Sequence, residues 1–235
     1  MTFCASRCWG RRSVFARRRE PSQAPGVTFL FVTSPEVFTV TGSIAIAGSA
    51  SCLLTLVVLH VLPTGLSPLT NPVSQYGITS YRLGYRVQTI AMGIAAIAAA
   101  IGISELGIGG APLVVLFLVI FGAARLAISW FPMDVPGAAR TESGRWHGLL
   151  ALAAFGGATL AALRLGTDLG RSNVWVHARG PIAGLGIAML VCLISMGAAR
   201  RSESMRHYFG VVERAFYAGT IGFLFVVAFE LVRTR

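Results

Sequence analysis

Residues 111–147 read APLVVLFLVIFGAARLAISWFPMDVPGAARTESGRWH. The apolar run over 111–131 is interrupted only by Arg125 and Ser129, and it is long enough to cross a hydrocarbon core of about 30 Å, which takes roughly 20 helical residues. It stops at Phe131-Pro132, because a residue that precedes proline is pushed out of the α region. Asp134 follows, and Val135-Pro136-Gly137-Ala138 suits a type II turn with proline and glycine at its centre. Ser143 is placed to cap a new helix, which puts His147 about one turn inside it. The segment therefore predicts a membrane helix, a tight loop holding Asp134, and a second membrane helix that runs back.

Five more apolar stretches are long enough to span, near 39–62, 83–104, 146–165, 180–198 and 211–232. The gaps between them carry breakers, such as Pro63, Pro68 and Pro72 after the first run and Gly109-Gly110-Ala111-Pro112 after the second. The expected fold class is all-α, a polytopic membrane helical bundle with six transmembrane helices in one domain over 39–235. Small residues crowd the runs, as in Gly93 to Ala100 and Ala153 to Ala158, and they let helix backbones approach closely in lipid. Gly180 and Gly184 form a GxxxG pair that is expected to serve packing inside the bundle rather than a dimer face.

Composition agrees. The hydrophobic class makes up 54% of the 235 residues, charged residues only 12%, and the mean hydropathy is +0.70. A water-soluble domain of this length coats itself with more charge. The net charge of +11 is carried by 20 basic residues, all arginine. Outside the N-terminal segment they sit in short clusters at the ends of apolar runs, as interfacial anchors and topology signals, so no nucleic-acid partner is expected. Four cysteines are too few and scattered for a framework: Cys4 and Cys8 precede the first run, and Cys52 and Cys192 lie inside apolar runs as small hydrophobes.

Residues 1–38 differ from the rest. Arg7, Arg11, Arg12, Arg17, Arg18 and Arg19 stand in a nearly acid-free segment followed by Pro21 and Pro25, which predicts a disordered cytoplasmic tail. With the tail counted, its face of the membrane holds eleven arginines against eight on the other, and the positive-inside rule puts both termini in the cytoplasm of a cell with an inner (plasma) membrane. Without the tail the balance is five against eight, and the expected orientation reverses.

Loops one, three and five share one face whichever way the protein points, and that face is chemically the richer. It gathers His60, Asn71, Ser74, Tyr76, Tyr81 and Arg82 from the first helix end and loop. Asp134, Arg140, Glu142, Arg145 and His147 come from the third, and Arg206, His207, Glu213 and Arg214 from the fifth. His177 lies toward the opposite face. The candidate polar cluster is His60, Ser74, Tyr76, Arg125, Asp134 and His147. Arg125 is included because a charge inside an apolar run is expensive and usually pairs, snorkels or faces a cavity, so it is expected to turn into the bundle. Polar residues at helix ends are also ordinary at any membrane interface, and Asp134 with His147 or Arg145 equally fits a plain tie between helices three and four.

The order and spacing of several motifs resemble the domain of unknown function 998 family of prokaryotic integral membrane proteins with about six helices. They are His60 with Pro63, Asn71-Pro72-Val73-Ser74-Gln75-Tyr76-Gly77, Phe131-Pro132-Met133-Asp134, His147, and Gly210-Val211-Val212-Glu213-Arg214. The resemblance covers roughly 40–232, leaves out the Arg-rich segment, and implies the six-helix architecture without a reaction.

Two functional readings follow for the polar face. One is a membrane protein without chemistry that binds a lipid or small ligand, with the bilayer as its surroundings and no cofactor. The alternative is a metal-dependent membrane lipid hydrolase using His60, Asp134 and His147, with Ser74 or Tyr76 orienting the oxyanion. That layout distantly resembles membrane hydrolases such as alkaline ceramidases, but no His-x-x-x-His or comparable ligand pair is present. A transporter is a third possibility, without an evident repeat or a series of intramembrane carboxylates to support it.

Overall fold

A computed structural model describes residues 35–234. Six helices are long and apolar enough to cross a membrane: α1 (Pro35–Val61), α2 (Arg82–Ser104), α3 (Ala111–Ile128), α4 (Glu142–Leu169), α5 (Arg179–Arg201) and α7 (Phe209–Arg233). A four-residue α6 (Glu203–Arg206) lies between the last two, and a 3₁₀ segment, Val73–Ile78, lies in the loop after α1. Among the described residues there is no strand. The chain is a multi-pass, all-α membrane protein. Most of the expected Arg-rich tail, with Cys4 and Cys8, lies outside the described residues, and residues 35–38 belong to α1.

Each spanning helix packs on its neighbours in sequence, and α7 returns to α1, so the six close a ring. Helix α7 also touches α2 across it. Lipid tails are as apolar as leucine, so close packing rather than hydrophobic burial holds such helices together. Glycines mark where backbones meet. A Cβ on Gly48 would stand 2.7 Å from the carbonyl oxygen of Ala91, and one on Gly93 2.9 Å from that of Gly122. Gly157 makes the same approach to the α3 backbone at Phe117. Gly180 and Gly184 do not: a Cβ on either meets nothing within 4 Å, so this pair faces outward and the expected internal packing is corrected.

Helices α4 and α5 are close only at one end. Gly166 lies on the backbone of Ala183, and Gly186 on that of Leu163. Toward loops three and five, Gly148 and Gly156 on α4 meet nothing within 4 Å. The two helices therefore diverge toward the polar face, and the gap between them forms the mouth of a cleft.

Candidate functional site

The segment that follows α3 folds for local reasons. The last turn tightens, with Trp130 N–H donating to Ala127 and Phe131 N–H to Ile128, before Pro132 removes the next donor. Ala138 N–H closes the turn on Val135 O at 3.0 Å, and Gly137 takes φ of 85°, the left-handed value that a type II turn needs. The helix cap differs from the one the sequence suggests. Thr141, not Ser143, caps α4: its Oγ1 accepts from Gly144 N–H at 3.0 Å, while Ser143 donates to Pro132 O.

Asp134 is spent on that cap. Its Oδ1 accepts from Thr141 Oγ1 at 2.6 Å and from Thr141 N–H at 3.2 Å, and a carboxylate there also complements the positive end of the helix. Gly144 leaves the room it occupies, since a Cβ on that residue would collide with Asp134 Oδ2. Gly144→Ala is accordingly expected to displace the carboxylate and cost about 1–2 kcal/mol, the worth of a cap. Thermal unfolding of the variant beside Asp134→Ala checks this: if the carboxylate is the cause, the double variant loses no more than Asp134→Ala alone.

His147 is hydrogen-bonded to neither Asp134 nor His60. Its Nδ1–H donates to Phe131 O at 2.7 Å and ties α4 to the end of α3. His60 belongs to a different cluster. Its Nδ1–H donates to Leu56 O within α1, so Nε2 is the acceptor, and it receives Arg214 Nε–H from α7. Arg214 also donates to Asn71 O at 2.8 Å and to Gly210 O at 3.0 Å, and reaches toward Tyr76 OH at 3.5 Å. The buried Glu213 accepts Val73 N–H at 2.7 Å. Adjacent residues of α7 thus staple the first loop down, with Tyr76 edge-on to His60.

The proposed metal ligands therefore do not assemble. His60 sits with α7, Asp134 with Thr141 and His147 with Phe131. Among the described residues no three His, Cys, Asp or Glu side chains come together in a group that could hold a metal ion. The reason lies in helix order: α1 packs on α2 and α7, which leaves its His60 end away from the α3–α4 loop.

What the fold does create is a cleft of about 1310 Å³ on the face of loops one, three and five. Of the six candidate residues, Ser74, Arg125, Asp134 and His147 line it, while His60 and Tyr76 do not. Ser74 Oγ donates to Met133 Sδ at 3.3 Å and joins loops one and three at its rim. At its deep end stands Arg125, only 1% exposed and the largest fully buried side chain among the described residues. Its Nη1–H donates to Tyr217 OH and its Nη2–H to Gln88 Oε1, each at 2.9 Å, and Gln88 donates in turn to Cys52 Sγ at 3.4 Å. The network links α1, α2, α3 and α7.

The network and its surroundings leave two polar atoms unpaired. Arg125 Nε and Tyr85 OH are buried without a hydrogen-bond partner, and both residues line the cleft. Such groups normally find partners, since each one left bare costs about 1–3 kcal/mol. Arg140, Arg145, Arg200 and Arg206 line the same space. Among the described residues none of these, nor Arg125, has a carboxylate within 4 Å; the ion pair found there joins Arg164 to Asp168 at 2.9 Å, away from the cleft.

Gln88, Tyr85 and Tyr217 are not among the candidates that the sequence singles out. A signal for them exists: Tyr85 and Gln88 are three apart on α2, Glu213 and Tyr217 four apart on α7, so each pair places polar groups on one face of an apolar helix.

Comparison with known proteins gives one finding. The family described as "Protein of unknown function (DUF998)" matches over residues 46–230. No curated protein and no solved structure matches the chain.

Proposed function

The chain belongs to the DUF998 family, whose description assigns no activity, and from that premise we propose that it is a membrane protein that binds a lipid or small solute in the cleft between loops one, three and five. The observation that carries this reading is a cleft lined by arginines that have no carboxylate within 4 Å, with Arg125 Nε and Tyr85 OH buried and unpartnered on two of its lining residues. The setting is the inner (plasma) membrane; with both termini cytoplasmic, as the full arginine balance favours, the cleft opens on the far side.

Filling the cleft tests the reading. Gly148 lines it, and a Cβ there meets nothing within 4 Å, so Gly148→Phe is expected to occupy the space while leaving the helix packing alone. In native mass spectrometry of protein released from its own membrane, the wild-type chain is expected to carry an added mass that the variant lacks. Identical spectra for the two would end the proposal.

A further inference from the structure

We propose that the ligand is a lipid with an anionic, phosphate-type headgroup, admitted sideways from the bilayer through the gap between α4 and α5. This rests on the binding reading above and adds the chemistry of the ligand and its route.

The route follows from the divergence of α4 and α5. Leu149 and Leu152, one turn apart on α4, line the cleft and yet are 58% and 64% exposed, so one wall of the cavity is continuous with the apolar outer surface. Phe155 lies a further turn along the same wall, extending it toward the bilayer centre. An acyl chain laid over Leu149, Leu152 and Phe155 stays among apolar side chains while its headgroup lies at the loop face.

The headgroup chemistry follows from charge. Arg145 from α4 and Arg200 from α5 both line the cleft, and Arg200 is held over the ring of Phe209 at 5.6 Å. Arg125 lies deeper, with its Nε–H unpartnered, and Tyr85 lines the same space with an unpartnered hydroxyl. Arginine suits phosphate oxygens through its planar fork of donors, and basic pockets between membrane helices are a recurring way of holding anionic lipids. The two carboxylates that line the cleft are engaged elsewhere, Asp134 by Thr141 and Glu213 by Val73 N–H, so neither neutralises the arginines by direct pairing.

A free phosphate ester presents the same oxygens as a lipid headgroup, so the test separates the two. The full chain in a neutral detergent is titrated with dioleoyl phosphatidylglycerol, dioleoyl phosphatidylcholine and glycerol 1-phosphate, with occupancy read by native mass spectrometry. The expected result is at least about tenfold tighter binding of phosphatidylglycerol than of either of the others. Exchanging both Arg145 and Arg200 for glutamine brings phosphatidylglycerol to within about twofold of phosphatidylcholine. If the double variant fails to fold, Arg145→Gln and Arg200→Gln singly each show part of that loss. Leu152→Trp, which obstructs the side opening, weakens the lipid by about fivefold or more and leaves glycerol 1-phosphate unchanged.

Equal binding of the two lipids overturns the anionic headgroup. Glycerol 1-phosphate binding as tightly as phosphatidylglycerol, with Leu152→Trp inert, overturns sideways access and leaves a soluble anion site. If no probe binds, or Gly148→Phe binds all of them as the wild type does, the cleft is not a binding site and the reading beneath this one falls too.

Discussion

Arg125→Met is expected to lower the affinity for phosphatidylglycerol by about a hundredfold while moving the melting temperature by only a few degrees. Two opposing terms produce this split. Removing the guanidinium leaves Gln88 Oε1 and Tyr217 OH without their donors, a loss of about 1–3 kcal/mol for a buried group. It also removes a charge that has no carboxylate partner and is 1% exposed, in a setting where translocon scales put an arginine at about 2.5–3.5 kcal/mol. The terms nearly cancel in the folded protein, whereas the proposed ligand loses the most deeply placed cation of the cleft. Arg125→Lys keeps the charge as a single point and loses the fork that spans Gln88 and Tyr217, so it is not expected to restore binding. Thermal unfolding followed by tryptophan fluorescence, beside the binding isotherm, checks both halves. A fall in melting temperature of more than about 10 °C for Arg125→Met, the scale of a loss of several kcal/mol, would make the residue a strut of the fold instead.

Gly210→Val is expected to be the most damaging single change outside the cleft, at about 3–5 kcal/mol. A Cβ at this position would fall 2.7 Å from Pro68 O and 2.8 Å from both Asn71 O and Leu69 C. All three are backbone atoms, so no side chain can rotate away. The first loop has to lift, and it is the same loop that Val211 N–H binds at Leu69 O, Glu213 at Val73 N–H and Arg214 at Asn71 O. These bonds are lost together, which leaves Glu213 without its backbone partner and Arg214 with only His60 and Gly210 O as acceptors. Gly184→Val is the matched control on α5: a Cβ there meets nothing within 4 Å, so only the modest helix preference of valine applies. Protease sensitivity of the 62–81 segment in the two variants separates a lifted loop from general unfolding.

Much of the architecture is legible in the sequence because apolar runs of spanning length have few other uses. Six runs and six helices agree, and the differences lie at the ends. The apolar pattern predicts α4 over 146–165, whereas the helix extends over Glu142–Leu169, because its ends are polar and are held by groups a hydropathy pattern does not register. At one end Thr141 caps the helix, and at the other Arg164 pairs with Asp168 four residues on. Helix α3 is shorter than its apolar run and ends at Ile128, since Pro132 has no N–H for the carbonyl of Ile128, four residues back, and its ring clashes with that carbonyl.

The site is legible as a face, less so as a set. Loops one, three and five do border a common cleft, and Arg125 does turn into the bundle toward it. Which side chains meet depends on the order of helices around the ring, and that order is written in inter-helix packing rather than in any one segment. His60 and His147 look alike in sequence, each beside a loop of the same face, yet one is held by Arg214 and the other by the carbonyl of Phe131. The glutamate-arginine pair at 213 and 214 reads, in sequence, as interfacial decoration. It is a fastening because its partners are backbone groups of a loop 140 residues earlier in the chain, a relation that no local pattern records.

The distance along the chain between the members of the Arg125 network has a consequence for the order of events during synthesis. Gln88 precedes Arg125 and is in the membrane when α3 inserts, but Tyr217 follows 92 residues later. Through the insertion of α4 and α5 the arginine is therefore held on one side only. The last helix closes the ring and supplies the second hold in a single step, together with the clasp on the first loop. A nascent chain stalled before that step carries a half-held cation in the bilayer, a physical mark by which an unfinished bundle differs from a finished one.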